Sequence, residues 1–205
     1  MATQKQIEVE RVSMTENILS VVEQCGRTCY KSESKGNPGE FIKRIIKSGH
    51  ESVLEHGSVT YRIVCDRATS HQIVRHRIAS YSQMSQRYCR MDREKFGNQI
   101  AYIKPIDLPE HLSLVLHSSV GVAESSYFNL LEQGVKPETA RAVLPNCTVT
   151  ELMMTANLRS WRHFLNTRLD KHAQADIRKV AELIFIDMFN DTDLRIFVSD
   201  IDSDE

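Results

Sequence analysis

Apolar positions recur along this chain with two periods, and the switches between them outline a mixed fold. Alternate residues are apolar in IEVERV, residues 7–12, which reads as a strand with one buried face. A helical period follows in TENILSVVEQCGRTCY, 15–30, with Thr15 as its capping residue. Gly36, Asn37, Pro38 and Gly39 form a turn, after which FIKRIIKSG, 41–49, sets Phe41, Ile42, Ile45 and Ile46 on one helical face and stops at Gly49. SVTYRIV, 58–64, is rich in β-branched and aromatic residues and predicts a strand. Asp66 is placed to cap a helix from Arg67 to about Arg77, beyond which Ser, Tyr and Gln mark a polar loop.

In the second half, 108–134 predicts a long helix ended by Gly134, and Pro137 opens a short one through Val143. A strand over 147–155 is followed by helices at 157–169 and 173–189, and the acidic stretch 191–205 is expected to be frayed or peripheral. There is no internal repeat or linker, and strands and helices do not alternate as βαβ units. The expected fold is therefore α+β, a mixed and mainly antiparallel sheet packed with long helices, in one domain over 1–205.

Composition narrows the classes of function. With 26 Lys and Arg against 27 Asp and Glu, the chain is not built as a nucleic-acid binder, so an anionic partner must be met locally. No apolar run approaches the roughly 20 residues that cross a bilayer, and the opening MATQKQIEVERVSMTEN lacks the features of a secretory leader, so a cytoplasmic protein without a membrane role is expected. The five cysteines contain no CxxC pair, which argues against a disulfide framework or zinc ribbon and for small half-buried core residues. GHESVLEH, 49–56, carries His50 and His56 six apart instead of the four of a zinc-binding helix. No metal is expected there, and His50, Ser52, Glu55 and His56 are left as a candidate polar wall.

Charge is concentrated where the alternation breaks down. Arg67, Arg75, Arg77, Arg87 and Arg90 fall between residues 67 and 91, a stretch with no Asp or Glu. A solvated face is the ordinary fate of such arginines, but these lack local ion-pair partners, which points to a bound anion. On the expected helix Gln72, Arg75 and His76 share a face while Arg77 points elsewhere. A second group comprises Arg141, Arg159, Arg162, Arg168, His163 and His172; Arg159 and His163 share one face of their helix, with Trp161, Phe164, Leu165 and Arg168 around another. Ser85 has no neighbouring carboxylate and histidine to activate it as a nucleophile, and Cys89 lies only at the edge of the cluster.

The residues RHRIASYSQMS, 75–85, resemble the RHRx7S signature of the flavin-dependent thymidylate synthases. GHESVLEH, GVKPETARAVLP (134–145) and NLRSWRHFLNTRLDKHAQADIR (157–178) are similar to three further segments of that family, in the same order. The resemblance implies a homotetrameric, FAD-dependent methyltransferase that makes dTMP from dUMP. Methylenetetrahydrofolate would give the carbon, NADPH would reduce the FAD, and active sites would be shared between subunits. Carried over by position, Gln72, Arg75, Gln83, Ser85, Gln86, Arg87, Arg141 and Arg168 correspond to dUMP contacts, with Arg168 the catalytic one, set against the uracil to favour ionisation of N3. Ser52, Arg75, His76, Arg77, Gln83, Asn157, Arg159 and His163 correspond to FAD contacts, and His50 to a residue near flavin and folate. Ser82 and Gln83 stand where many members carry Asn and Glu, His163 where some carry Asn, and Cys29 where Ser is frequent; Gln83 keeps hydrogen-bonding capacity but not charge. A non-catalytic nucleotide- or RNA-binding module, or a metal-dependent hydrolase using His50, Glu51 and His56, would leave 134–145 and 157–178 unexplained.

Overall fold

A computed structural model describes residues 2–34, 36–94 and 97–201. In chain order the elements are β1 (Thr3–Lys5), β2 (Glu8–Met14), α1 (Ile18–Tyr30), α2 (Pro38–Lys47), β3 (Ser58–Asp66), α3 (Arg67–Ile73), β4 (Ser80–Gln83) and β5 (Ala101–Ile103), then α4 (Ser113–Glu132), α5 (Pro137–Ala140), β6 (Val149–Asn157), α6 (Leu158–Arg168) and α7 (Ala175–Asn190). Short 3-10 turns occupy Glu51–His56, Glu110–Leu112, Arg141–Val143 and Arg195–Phe197.

The main sheet is antiparallel with strand order β2-β3-β6-β4, and β1 pairs in parallel with β5 beside it. Its centre is the ladder of β3 on β6, running from Ser58 opposite Asn157 to Asp66 opposite Val149. Side-chain alternation decides which face is core. Val59, Tyr61, Ile63 and Cys65 of β3 and Leu152, Met154 and Ala156 of β6 are buried. On the other face Thr60 Oγ1 lies 2.9 Å from Thr155 Oγ1, and Arg62 donates to Glu151 at 2.6 Å.

Four helices cover the apolar face. Apolar residues at three-and-four spacing on α2 (Phe41, Ile42, Ile45), α6 (Leu158, Trp161, Phe164, Leu165) and α7 (Ile177, Val180, Ala181, Ile184, Met188) join Ile18 and Val22 of α1 in one cluster. Trp161 is fully buried, meets Tyr61 edge-on at 5.2 Å and donates its indole N–H to the Val59 carbonyl at 3.0 Å. Burying a side chain of that size is worth about 5 kcal/mol of gross transfer free energy, which anchors α6 on the sheet. A second cluster joins Val120, Tyr127 and Leu131 of α4 to Ile100, Tyr102 and Ala140. The fold is the mixed, mainly antiparallel α+β arrangement expected, and among the described residues no helix is long and apolar enough to cross a membrane.

Several boundaries differ from expectation. Thr15 does not cap α1: its hydroxyl accepts from Ser58 N–H at 3.0 Å and its own N–H donates to Ser58 O, fastening the end of β2 to the start of β3, so α1 begins after Asn17. Pro38 and Gly39 are the first turn of α2, with Asn37 accepting from Glu40 N–H at 3.2 Å. Asp66 does cap α3, accepting from Thr69 N–H at 2.7 Å. The helix ends at Ile73, however, not near Arg77; the Tyr81 hydroxyl, at 2.6 Å from the His76 carbonyl and 3.1 Å from that of Ile73, donates into the turn that follows. Residues 191–201 are not peripheral. Leu194, Phe197 and Val198 have no exposed surface, Arg162 donates to Phe197 O and Asp200, and Asp191 takes Arg11 at 2.8 Å. Residues 202–205 of the acidic end lie outside the described residues. Cys65 is buried, Cys25, Cys89 and Cys147 are half-buried, and Cys29 is exposed.

Candidate active site

The early end of α3 decides the geometry of the basic cluster. Arg75, His76 and Arg77 stand in the turn after it, and all three line a cleft of about 840 Å³ that also takes in Asn157, Arg159, His163 and Arg168. Arg77 thus shares the cleft instead of pointing away, and Arg168 joins Arg159 and His163 at the solvent side of α6 while Trp161, Phe164 and Leu165 face the core. α6 reaches this position through Asn157, the last residue of β6, whose side chain caps the helix by accepting from Ser160 N–H at 2.8 Å.

The carboxylates in this cleft are already engaged. Glu55 takes Arg159 at 2.6 Å, an exposed pair of small energetic weight, and Glu51 takes Arg162 at 3.1 Å. Among the described residues Arg75, Arg77 and Arg168 have no carboxylate in contact. Arg168 is instead held by donating its Nε–H to His76 Nε2 at 3.0 Å and an Nη2–H to the Gln72 carbonyl at 3.2 Å. That contact requires His76 to be neutral with its proton on Nδ1. Burial against Phe164, together with Arg168 and His163, lowers its pKa to about 4 and so meets the requirement. Burial and then the neighbouring Arg75 pull Arg168 below the ordinary guanidinium value, as expected for like charges held together.

The remaining candidates fall elsewhere on the chain. Gln86 and Arg141 line a separate small pocket of about 330 Å³ with Arg67, His71 and Glu138. Arg87 approaches the Glu138 carboxylate at 3.9 Å and lies over the Tyr88 ring, and the Ser85 hydroxyl accepts from Arg87 N–H at 3.3 Å. The Gln83 side chain donates to Ser70 and Thr150, and that of Gln72 to Gln174. Ser52 is exposed on its 3-10 turn outside the cleft, which takes Glu51 and Glu55 from the same turn. His50 bonds Tyr30 Oη through Nδ1 at 2.7 Å and borders another depression with Arg27 and Arg44. No group of three His, Cys, Asp or Glu among the described residues is arranged to hold a metal ion. Arg67, Ile78, Asn166 and Thr167 also line these pockets. Of these only Arg67 carried a signal in the sequence, as an arginine without a nearby acid.

The cleft at the junction of the antiparallel sheet and the turn after α3, lined by Arg75, Arg77, Arg159 and Arg168, defines a site whose charge suits an anionic ligand. The family described as thymidylate synthase complementing protein matches residues 11–190, and the chain belongs to that family. It is 37% identical over 183 residues to a flavin-dependent thymidylate synthase of Mycobacterium avium and 38% identical over 183 residues to that of Mycolicibacterium gilvum, in each case over 79% of this chain and 72% of the relative. Among solved structures it is similar to a UMP/dUMP methylase, PolB, from Streptomyces cacaoi bound with 5-Br dUMP, with a TM-score of 0.80, 26% identity and coverage of 96% of this chain and 95% of that one.

Proposed function

We propose that the chain is a flavin-dependent thymidylate synthase that reductively methylates dUMP to dTMP, with methylenetetrahydrofolate as carbon donor and FAD, reduced by NADPH, as hydride source. The observation that carries this reading is the set of three guanidiniums, Arg75, Arg77 and Arg168, lining one cleft without a carboxylate partner among the described residues. The cleft fits the cofactor. Its cations suit a diphosphate, and Ile78, 76% exposed, gives an apolar surface for a ring system.

The bound flavin would supply the hydride; the chain's residues supply position and charge. His76, kept neutral, aims the Arg168 guanidinium into the cleft, where it stabilises negative charge on the pyrimidine as N3 ionises and as the ring accepts hydride. Arg77, Arg159 and His163 hold the cofactor, and Asn157 fixes the helix that carries two of the cleft cations.

Of the eight proposed dUMP contacts, Arg75 and Arg168 line the large cleft, Gln86 and Arg141 line the small pocket, and Gln72, Gln83, Ser85 and Arg87 line neither. We read the cleft and the pocket as half-sites that meet when copies of the chain assemble, in a tetramer with shared active sites. The test is to purify the protein, measure flavin absorbance, follow bleaching by NADPH with and without dUMP, and assay dTMP by chromatography. A yellow protein that bleaches faster with dUMP and forms dTMP only when methylenetetrahydrofolate is present is the expected result. A colourless protein that forms no dTMP when FAD is added overturns the reading.

A further inference from the structure

We propose that Gln174, backed by the buried carboxylate of Asp176, is a positioning residue for the reaction, clamping the end of α3 that holds the Arg168 guanidinium. This rests on the functional reading above and extends it to residues to which the family resemblance assigned no role.

Asp176 is only 2% exposed, and among the described residues no Lys, Arg or His pairs with it. A carboxylate so placed is costly unless hydrogen bonds satisfy it. Two do: Oδ1 accepts from Ile106 N–H at 3.2 Å, and Oδ2 accepts from Gln174 Nε2 at 3.2 Å. Burial above all, and the nearby Asp66 carboxylate, raise the Asp176 pKa, while the hydrogen bonds from Ile106 and Gln174 hold it down. An ionised carboxylate can only accept, so it dictates which end of the Gln174 amide faces it. Nε2 turns to Asp176, and Oε1, turned the other way, accepts from Gln72 Nε2 at 2.6 Å. Gln174 immediately precedes α7 yet makes no cap bond to that helix; both ends of its amide are used in the span from Asp176 to α3.

Gln72 lies in the last turn of α3, and what it holds there bears on the chemistry. Its backbone carbonyl accepts from Arg168 Nη2 at 3.2 Å, and His76, just past the helix, accepts from Arg168 Nε at 3.0 Å. Both supports of Arg168 thus sit at or just beyond the end of α3, and the aim of the guanidinium is no better fixed than that end. At its start the helix is anchored by a second buried carboxylate, Asp66, which accepts from Thr69 N–H at 2.7 Å. Asp176, acting through Gln174, anchors the finish. The bond from Gln72 to Gln174 is exposed, and the Tyr81 hydroxyl separately holds the carbonyls of Ile73 and His76. Losing Gln174 therefore loosens the end of α3 without freeing it, which sets the effect at that of one ordinary hydrogen bond.

The experiment uses the FAD-loaded enzyme, pre-reduced and mixed with saturating dUMP and methylenetetrahydrofolate, so that single-turnover formation of dTMP reports on the step that Arg168 serves. Gln174→Leu keeps the bulk of the side chain and removes both hydrogen bonds. It should lower that rate about 3- to 10-fold and change the Kd for dUMP by less than about twofold, with FAD content and melting temperature held. Gln174→Glu sets a second carboxylate against Asp176 and should be slower still. Adding Asp176→Asn to it exchanges donor and acceptor: the new amide donates to the new carboxylate, which still accepts from Gln72. This double variant should return to within about threefold of the wild-type rate. A Gln174→Leu enzyme as fast as wild type, one that loses FAD or melting temperature in step with the rate, or a double variant no faster than Gln174→Glu overturns the assignment. A wild-type enzyme that makes no dTMP would instead overturn the functional reading on which it rests.

Discussion

Separation of Arg75 and Arg168 from Gln86 and Arg141 into two half-sites has a quantitative consequence for mixed oligomers. Arg168→Ala removes the guanidinium aimed into the large cleft, and Arg141→Ala removes a cation from the small pocket. Loss of a charge-stabilising donor at a reacting centre costs about 100- to 1,000-fold in rate, so Arg168→Ala alone should show about 1% of wild-type activity or less. Arg141→Ala should be similarly inactive when dUMP is kept well below its raised KM. The two variants, carrying different affinity tags, are co-expressed, and oligomers retaining both tags are compared with the unselected pool. If each site takes its cleft from one copy and its small pocket from another, random association leaves both halves intact in one site in four, whatever the number of subunits. The unselected pool should therefore recover about a quarter of wild-type activity per site, far above either parent. Had each site been built from one chain, every site would carry a lesion and the pool would stay at the level of the variants. That result, with both tags present in the same oligomer, would refute the half-site arrangement.

Two further perturbations test how the cleft and the core are held. The His76 pKa is lowered to about 4 from 6.5, so the folded state resists a proton that the unfolded chain accepts; the stability this contributes is present above about pH 6.5 and lost as pH falls toward 4. After allowance for partial exposure it amounts to about 2 kcal/mol. In urea denaturation series His76→Gln should therefore show a flatter pH dependence than wild type across that window, and parallel curves would remove the neutral imidazole as the support of Arg168. In the C-terminal segment, Phe197→Ala should cost about 3–5 kcal/mol, the range for emptying a fully buried aromatic site. A loss below about 1 kcal/mol in the same assay would return this segment to the periphery.

Strands with β-branched alternation and helices with apolar residues at three-and-four spacing were legible in the sequence because local pattern and final burial agree there, as in β3 and α7. The failures lie where a distant group intervenes. Nothing near residue 73 announces that α3 stops there, with the Tyr81 hydroxyl donating to the turn that follows and Arg77 lining the cleft. The acidic composition of 191–201 concealed Leu194, Phe197 and Val198, since the acids there serve as partners for Arg11 and Arg162 rather than as a solvated tail. The absence of Asp and Glu between residues 67 and 91 marked Arg67, Arg75 and Arg77, which have no carboxylate partner among the described residues, but it misjudged Arg90, which pairs with Asp92 at 2.6 Å just beyond that stretch. It did not disclose that Glu138 would approach Arg87, or that Arg67 and Arg141 would line one pocket. Spacing cannot supply contacts that are made only when β6 draws these segments to one sheet.

Guanidiniums held without counter-ions weaken the fold that holds them, and this separates a binding role from a structural one. Arg75 and Arg168 share the cleft, and Arg75 is among the causes that depress Arg168. Like charges that share a cleft repel by an amount that falls as the effective dielectric around them rises. Because Arg75 is exposed, screening reduces the net effect to below about 1 kcal/mol. Arg75→Gln should accordingly stabilise the flavin-free protein by about 0.3–1 kcal/mol, with the gain shrinking as salt is raised. The same substitution should weaken FAD and dUMP binding, so the variant would melt higher than wild type without ligands and lower with them. Thermal denaturation of both proteins, with and without FAD, at low and high salt, reads all of these together. If Arg75→Gln is destabilised without ligand, the side chain is a structural prop, and its repulsion from Arg168 is not the unrelieved charge that an anion would quench.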